Sequence, residues 1–214
     1  MRCLDLTLAT PAENLACDEA LLEAAEAGEG EATLRFWEPR DTFVVLGYTN
    51  PAAREIEEGA CQADGVSVYR RISGGGTVLQ APGCLNYALV LRIEAGGPLA
   101  SIPGTNCFIM ERHAQALSSL TQRPIQVQGF TDLTLDGLKF SGNSQRRRQR
   151  FLLFHGSFLL AANLASIERC LRIPSRQPAY RRNRPHQVSL TNLGLPARGA
   201  KAALVEAWNA SSAS

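Results

Sequence analysis

Apolar and polar residues alternate along CLDLTLAT, residues 3–10, and this period of two predicts a half-buried strand. The pattern then changes. Thr10, Pro11 and Glu13 make a helix start, with Thr10 as N-cap, Pro11 in the first turn and Glu13 closing a capping box. The spacing predicts a helix to about Ala27 that turns Leu15, Leu21 and Leu22 inward and ends in the glycine-bearing EAGEGEA. TLRFW (33–37) and TFVVLGY (42–48) are rich in β-branched and aromatic residues, and the turn residues EPRD between them predict a hairpin.

PAAREIEEGACQA (51–63) reads as a short helix and VSVYR (66–70) as a strand. NYALVLRI (86–93) is expected as a buried strand, TNCFIMERHAQALSSL (105–120) as a helix, and RPIQVQG (123–129) as extended chain. DLTLDGLKFSG (132–142) predicts two short strands around the Asp136-Gly137 turn. FLLFHGSFLL (151–160) is apolar on both faces, which places it centrally in a sheet. NLASIERCLRI (163–173) and KAALVEAWNA (201–210) complete the helices, on either side of the irregular PSRQPAYRRNRPHQ (174–187). Hairpins mixed with helices, without a repeat or a long linker, predict one α+β domain over 1–214, with a mixed, largely antiparallel sheet flanked by helices.

Composition narrows the classes. A chain of 214 residues with 45% hydrophobic content is ordinary for a globular protein, and a net charge of +2 excludes a polyelectrolyte that coats nucleic acid. The six cysteines show neither a CxxC pair nor zinc-type spacing, so reduced, mostly buried thiols are expected. The amino terminus has no signal-peptide pattern and no run reaches membrane-spanning length, which points to the cytoplasm and to no membrane partner.

Candidate chemistry begins at RRISGGGTV, residues 70–78. Consecutive glycines allow positive φ and close backbone approach, so the N–H groups of Gly74, Gly75 and Gly76 can form a nest for an anion. Arg70 and Arg71 add guanidinium forks suited to phosphate or carboxylate. The stretch fits neither GxxxxGK[ST] nor GxGxxG, and on its own it is equally compatible with a structural turn. The second candidate is LKFSGNSQ (138–145), where strand alternation sets Lys139 and Ser141 opposite Leu138 and Phe140 and mounts an amine on the polar face.

Taken together and in order, RRISGGGTV, GCLNYALVL, GLKFSGNSQ and FHGSFLL resemble the lipoate-protein ligase A family, whose catalytic domain is similar to that of biotin-protein ligases and, more distantly, of class II aminoacyl-tRNA synthetases. LACDEALLE, LRFWEP and VVLGYTN resemble that family's amino-terminal pattern, so the resemblance covers roughly residues 1–195. It implies a two-step reaction. Lipoate attacks the α-phosphate of ATP, with magnesium as cofactor, to give lipoyl-AMP; a lysine amine of an acceptor lipoyl domain then takes the acyl group.

The same resemblance implies roles for single residues. Lys139 would be catalytic, stabilising charge at the acyl carbonyl and phosphate. Arg70, Arg71, Ser73, Gly74, Gly75, Gly76, Thr77, Asn86, Asp132, Ser141 and Gly142 would contact substrate or adenylate, and Asp132 would also help place magnesium. His155 is expected to pack and hydrogen-bond within the sheet. Arg146, Arg147 and Arg148, in the basic run QRRRQR expected as a loop, would steer and dock an acidic acceptor domain, with YRRNRPH (180–186) contributing to the same face.

The chain departs from the family pattern where a histidine and an aspartate are common and Gln80 and Ala81 stand instead; Cys84 replaces an asparagine. A related branch transfers octanoyl groups through a cysteine placed before the lysine-bearing hairpin, and PIQVQGFTDL (124–133) has none there, which favours the ATP-dependent ligase over the acyltransferase. The accessory carboxy-terminal domain of many family members is not expected in a chain of this length, so a separate accessory subunit is an expected partner. A nucleic-acid-binding module without catalysis is the remaining alternative, and the scarcity of aromatics among the arginines argues against it.

Overall fold

The computed structural model describes residues 1–174 and 177–212. The chain opens with β1 (Arg2–Asp5) and α1 (Pro11–Ala27), followed by β2 (Thr33–Trp37) and β3 (Phe43–Leu46). Short helices α2 (Ala52–Glu55) and α3 (Glu58–Ala63) lead to β4 (Ser67–Arg70), β5 (Val78–Gln80) and β6 (Cys84–Arg92). Then come α4 (Ile102–Thr121), β7 (Ile125–Gln128), β8 (Asp132–Leu135), β9 (Leu138–Arg147) and β10 (Phe151–Leu159). α5 (Leu164–Cys170), α6 (Ala197–Ala207) and β11 (Ser211–Ser212) complete it, and 3-10 turns at Ala179–Arg181 and His186–Val188 lie between the two helices.

Eight strands form the main sheet in the order β11-β1-β2-β6-β10-β9-β8-β7, and β4-β3-β5 form a second. In the main sheet only the pairings of β1 are parallel. The fold is therefore α+β with a mixed, largely antiparallel sheet, as the pattern of hairpins and helices predicts. On one face α4 and α6 pack Ile109, Met110, Leu117, Leu204 and Trp208 against Phe36, Leu89 and Phe154. On the other, Leu22 and Ala25 of α1 meet Ala88, Val90 and Leu153.

The helix start holds in detail. Thr10 accepts from the Glu13 amide at 3.2 Å, the Glu13 carboxylate accepts from the Thr10 amide at 2.8 Å, and Gly28 ends α1 at φ 88°. Of the leucines expected inward, Leu22 is fully buried and Leu15 and Leu21 pack half-buried against the core, and the polar Asn14 and Asp18 join them as buried residues in the first half of the helix. The predicted β2–β3 hairpin does not form. β2 joins the main sheet between β1 and β6, whereas β3 centres the second sheet, so EPRD carries the chain between sheets. Both strands are buried along their whole length; β2 takes β1 and the nine-residue β6 as neighbours, whereas β3 is flanked by β4 and β5.

Two further differences bear on the site. The predicted helix over 51–63 is interrupted at Ile56, which is extended and bridges Leu171. The basic run expected as a loop is partly strand, because β9 stays paired with β10 as far as Arg147–Leu152. The polar residues after the last helix likewise form β11, which pairs with β1.

Candidate active site

β4 and β5 hold the glycine loop between them. Inside it Arg71 turns back on its own loop: Nη2 donates to the carbonyls of Gly74 and Gly76, both at 2.7 Å, and Nε to Ser73 Oγ at 3.0 Å. Burial lowers the Arg71 pKa to about 10. Ser144 Oγ donates to the Gly74 carbonyl at 2.8 Å and Asn50 Nδ2 to that of Gly75 at 3.0 Å. All three glycine carbonyls are thus held by side chains, while the N–H groups of 74–77 take no partner among the described residues. Gly75 sits at φ 84°, where a Cβ would approach Arg71 Nη2 to 3.1 Å and Ser144 Oγ to 3.3 Å.

Lys139 stands where β8 and β9 slip by one residue, between Leu133 and Thr134. Its Nζ lies 2.8 Å from Asp132 Oδ1, and Asp132 Oδ2 accepts from the Tyr180 hydroxyl at 2.6 Å. Burial, and then the Asp132 charge, push the Tyr180 hydroxyl far above its ordinary pKa, so it stays a donor. The Lys139 main chain is fixed as well, its N–H donating to Ser189 and its carbonyl accepting from Thr191, both at 2.9 Å. Gly142 leaves room for the amine, since a Cβ there would stand 3.1 Å from Nζ.

A polar floor spans β6, β9 and β10. Gln80 Oε1 accepts from Asn86 Nδ2 at 3.0 Å and from Ser157 Oγ at 3.3 Å, and Asn143 Oδ1 accepts from the Tyr87 hydroxyl at 2.6 Å. Gly156 is required beneath Asn143, because a Cβ would fall 1.7 Å from Asn143 Oδ1. Behind the glycine loop lies a buried charge pair, Arg35 Nη1 to Asp18 Oδ1 at 2.5 Å, in which Arg35 also reaches the Asn14 carbonyl and side chain and the Leu6 carbonyl. His155 Nδ1 faces Asp18 Oδ2 at 3.9 Å, and its Nε2 is 2.5 Å from Ser73 Oγ.

These groups surround a cavity of about 800 Å³, lined among others by Gly74–Thr77, Asn86, Asp132, Lys139, Ser141 and Gly142. That is ample for a nucleotide-sized ligand with an acyl chain. Arg71 lines it too. Arg70 does not; its Nη1 donates to the carbonyls of Gly47, Tyr48 and Asn50 at 2.7–3.0 Å. Ser73 is fully buried and lies beneath the loop. Arg147 reaches Thr105 and the Leu99 carbonyl, Arg148 grips Glu23 of α1, and Arg146 lies 5.6 Å from the centre of the exposed Tyr48 ring.

Tyr180 and Arg181, expected with the rest of YRRNRPH on the acceptor-docking face, instead line the cavity, as do Asp18 and Asn143, which carry no expected role of their own. Arg181 lines the cavity with its guanidinium buried against His186 Nδ1 at 3.1 Å, and burial lowers its pKa. The available signal for Asp18 was its i, i+4 spacing from Asn14 on the inward stripe. None of the six cysteines lines the cavity, and burial raises the thiol pKa of Cys84, which is 2% exposed.

An α+β frame with helices on both faces of its main sheet and a cavity above the central strands places the protein in the biotin- and lipoyl-ligase class of folds. A biotin protein ligase of Leishmania major in complex with biotin superposes with a TM-score of 0.55 at 12% identity, over 96% of this chain and 72% of that one. The chain belongs to the lipoyl protein ligase A/B catalytic domain family, whose model matches residues 10–198. The bi-partite lipoate protein ligase of Thermoplasma acidophilum, described with its E2 lipoyl domain, superposes with a TM-score of 0.83 at 21% identity, over 99% of this chain and 85% of that one.

Among sequence relatives, an octanoyltransferase LipM of Symbiobacterium thermophilum is 30% identical over 94% of this chain and 81% of its own length. A protein of Aeropyrum pernix with a provisional lipoate-protein ligase A name is 32% identical over 78% of this chain. The aligned region spans 60% of the Aeropyrum protein's length. The family is thus established for enzymes of protein lipoylation, with ligases and octanoyltransferases both among the relatives. No helix among the described residues is long and apolar enough to cross a membrane.

Proposed function

We propose that the chain makes lipoyl-AMP from lipoate and ATP and transfers the lipoyl group to a lysine of an acceptor lipoyl domain. The observation that carries this reading is the composition of the cavity wall: one amine, Lys139, and a run of free backbone N–H groups, with no thiol. Such a site suits a reaction in which charge builds on carbonyl and phosphate oxygens and no enzyme-bound acyl group forms.

In the first step a carboxylate oxygen of lipoate attacks the α-phosphorus and pyrophosphate leaves. The N–H groups of Gly74–Thr77 suit the acyl and phosphate oxygens, and Lys139 is the donor for charge shared between them. In the second step the neutral acceptor amine adds to the acyl carbonyl, Lys139 holds the oxyanion, AMP leaves with the bonding pair, and the nitrogen releases its extra proton. Magnesium would neutralise polyphosphate charge. Asp132 is a poor ligand for it as arranged, because Lys139 and Tyr180 occupy both carboxylate oxygens, so no step is assigned to a metal. Of the three docking arginines, Arg146 is the one left for an acceptor domain, since Arg147 and Arg148 are engaged within the chain.

A second reading, octanoyl transfer through an acyl-cysteine, is favoured by the LipM relative. The test is the intact mass of an apo lipoyl domain after incubation with the protein, magnesium, lipoate and ATP, with parallel tubes supplying lipoyl-AMP or octanoyl-acyl carrier protein. A lipoyl gain with ATP supports the ligase. A gain with lipoyl-AMP alone points to a separate activating subunit, of the kind the bi-partite Thermoplasma enzyme suggests. A gain only from the carrier protein replaces this reading with the second.

A further inference from the structure

The glycine loop is shaped from below by a line of groups that no step of the reaction uses. Arg35 neutralises Asp18 in the interior, and the other Asp18 oxygen also takes the Trp37 indole N–H at 3.4 Å. His155 stands between Asp18 and Ser73. Ser73 Oγ in turn meets Arg71 Nε, and Arg71 Nη2 holds the carbonyls of Gly74 and Gly76. The line runs Arg35, Asp18, His155, Ser73, Arg71, and ends on the loop that lines the cavity.

Hydrogen-bond polarity along it can be assigned. Arg71 Nε–H can only donate, so one Ser73 lone pair is taken. The Asp18 carboxylate facing Nδ1 favours the ring tautomer with its proton there, which leaves Nε2 as an acceptor. Ser73 therefore donates its proton to His155 and accepts from Arg71. Rotation of the serine away from this arrangement would leave the Arg71 Nε–H unpaired in a buried place, a cost the fold avoids.

We infer that His155 is a positioning residue for adenylate binding, which through Ser73 and Arg71 keeps the carbonyls of Gly74 and Gly76 turned away and their N–H groups available. This rests on the adenylate reading above. It gives the buried Asp18–Arg35 pair a purpose beyond stability, since a pair of this kind could be replaced by apolar residues at little cost if packing were its only task. The sequence supplies the pieces in four separate segments: LACDEALLE, LRFWEP, RRISGGGTV and FHGSFLL.

The test is calorimetric titration of a non-hydrolysable lipoyl-AMP analogue, an acyl sulfamate, into wild type, H155N, H155Q, S73A and the double variant S73A/H155N, with transfer kinetics from lipoyl-AMP alongside. Asparagine is too short to reach Ser73, whereas glutamine places an acceptor near Nε2. The expected result is a roughly tenfold weaker affinity in H155N and in S73A, near-wild-type binding in H155Q, and a double variant no weaker than the worse single one, as follows when two residues act through one contact. In transfer kinetics KM should rise while kcat changes little, because ground-state binding is what is lost. Binding undiminished in both H155N and S73A, or losses that simply add, would overturn the inference alone. A wild-type protein that fails to bind the analogue would overturn the adenylate reading and this inference with it.

Discussion

Lys139 and Asp132 form an ion pair at 2.8 Å on the wall of the cavity, with both side chains more than two-thirds buried. The pair fixes the amine without hiding it. Asp132 takes a single direction on the ammonium group, leaving its other protons for oxygens of a ligand. The role assigned to Lys139 predicts that Lys139→Ala folds normally and lowers transfer by about two to three orders of magnitude, the usual loss on removing a transition-state donor. Circular dichroism checks the fold and mass spectrometry of the acceptor checks transfer; a rate within a few-fold of wild type would remove Lys139 from the mechanism.

Tyr180 belongs to the irregular segment after α5 and ties it to the ion pair through the 2.6 Å hydrogen bond to Asp132. Tyr180→Phe removes one neutral donor to a charged acceptor, worth about 1.5–3 kcal/mol. Asp132 would then shift toward Lys139 and compete more strongly with the ligand for the amine. The expected outcome is a several-fold slower transfer from lipoyl-AMP together with an unfolding midpoint lowered by several degrees. An unchanged rate would show that the tie serves the segment's stability alone.

Gly75 is the point at which local sequence dictated the loop. Its φ of 84° and the Arg71 and Ser144 atoms within 3.3 Å of a would-be Cβ leave no place for a branched side chain. Gly75→Val is expected to abolish binding of the acyl sulfamate analogue while the β6–β10 core stays folded. Titration of the analogue decides it, and a retained affinity would mean that the glycine run only turns the chain.

What was legible in the sequence was chiefly what is local. The Thr10–Glu13 box, the Asp136-Gly137 turn and the glycine loop are each specified within a few residues, and each forms. The failures are long-range. Nothing local distinguishes an EPRD hairpin from a crossover, because the choice depends on β6 accepting β2 and on β5 accepting β3. Arg70 and Arg71 read as phosphate ligands from their charge, yet Arg70 is held by carbonyls twenty or more places earlier in the chain and Arg71 by its own loop. The buried Asp18 became visible only when α1 and β10 brought it to His155.

Cys84 separates the two family chemistries. It lies at the start of β6 with its thiol 2% exposed and its pKa raised by burial, so little thiolate is present near neutral pH. Under the ligase reading, Cys84→Ala leaves ATP-dependent lipoylation within about twofold of wild type, with a modest loss of stability from one small buried group. Acceptor mass and unfolding midpoint are the two readouts. Loss of all transfer in a folded variant, together with octanoyl transfer by the wild type, would replace the ligase reading with the acyl-cysteine one.

The last prediction concerns stability against pH and isolates a group outside the cavity. His113 of α4 is fully buried and accepts the Trp208 indole N–H at 2.9 Å, packed edge-on to Tyr87. Burial, and then Arg112, lower its pKa from 6.5 to about 3. The folded protein therefore keeps this ring neutral over a range in which the unfolded chain binds a proton. The stability this contributes is complete above pH 6.5 and is lost progressively as pH falls toward 3, with a slope of up to about 1.4 kcal/mol per pH unit. Replacing the ring with a neutral amide, His113→Gln, removes the titration while keeping a hydrogen-bonding group for Trp208. Urea unfolding at pH 7 and pH 5 should then show a drop in stability smaller than wild type's by about 2 kcal/mol. Equal drops in the two proteins would place the acid sensitivity elsewhere in the fold.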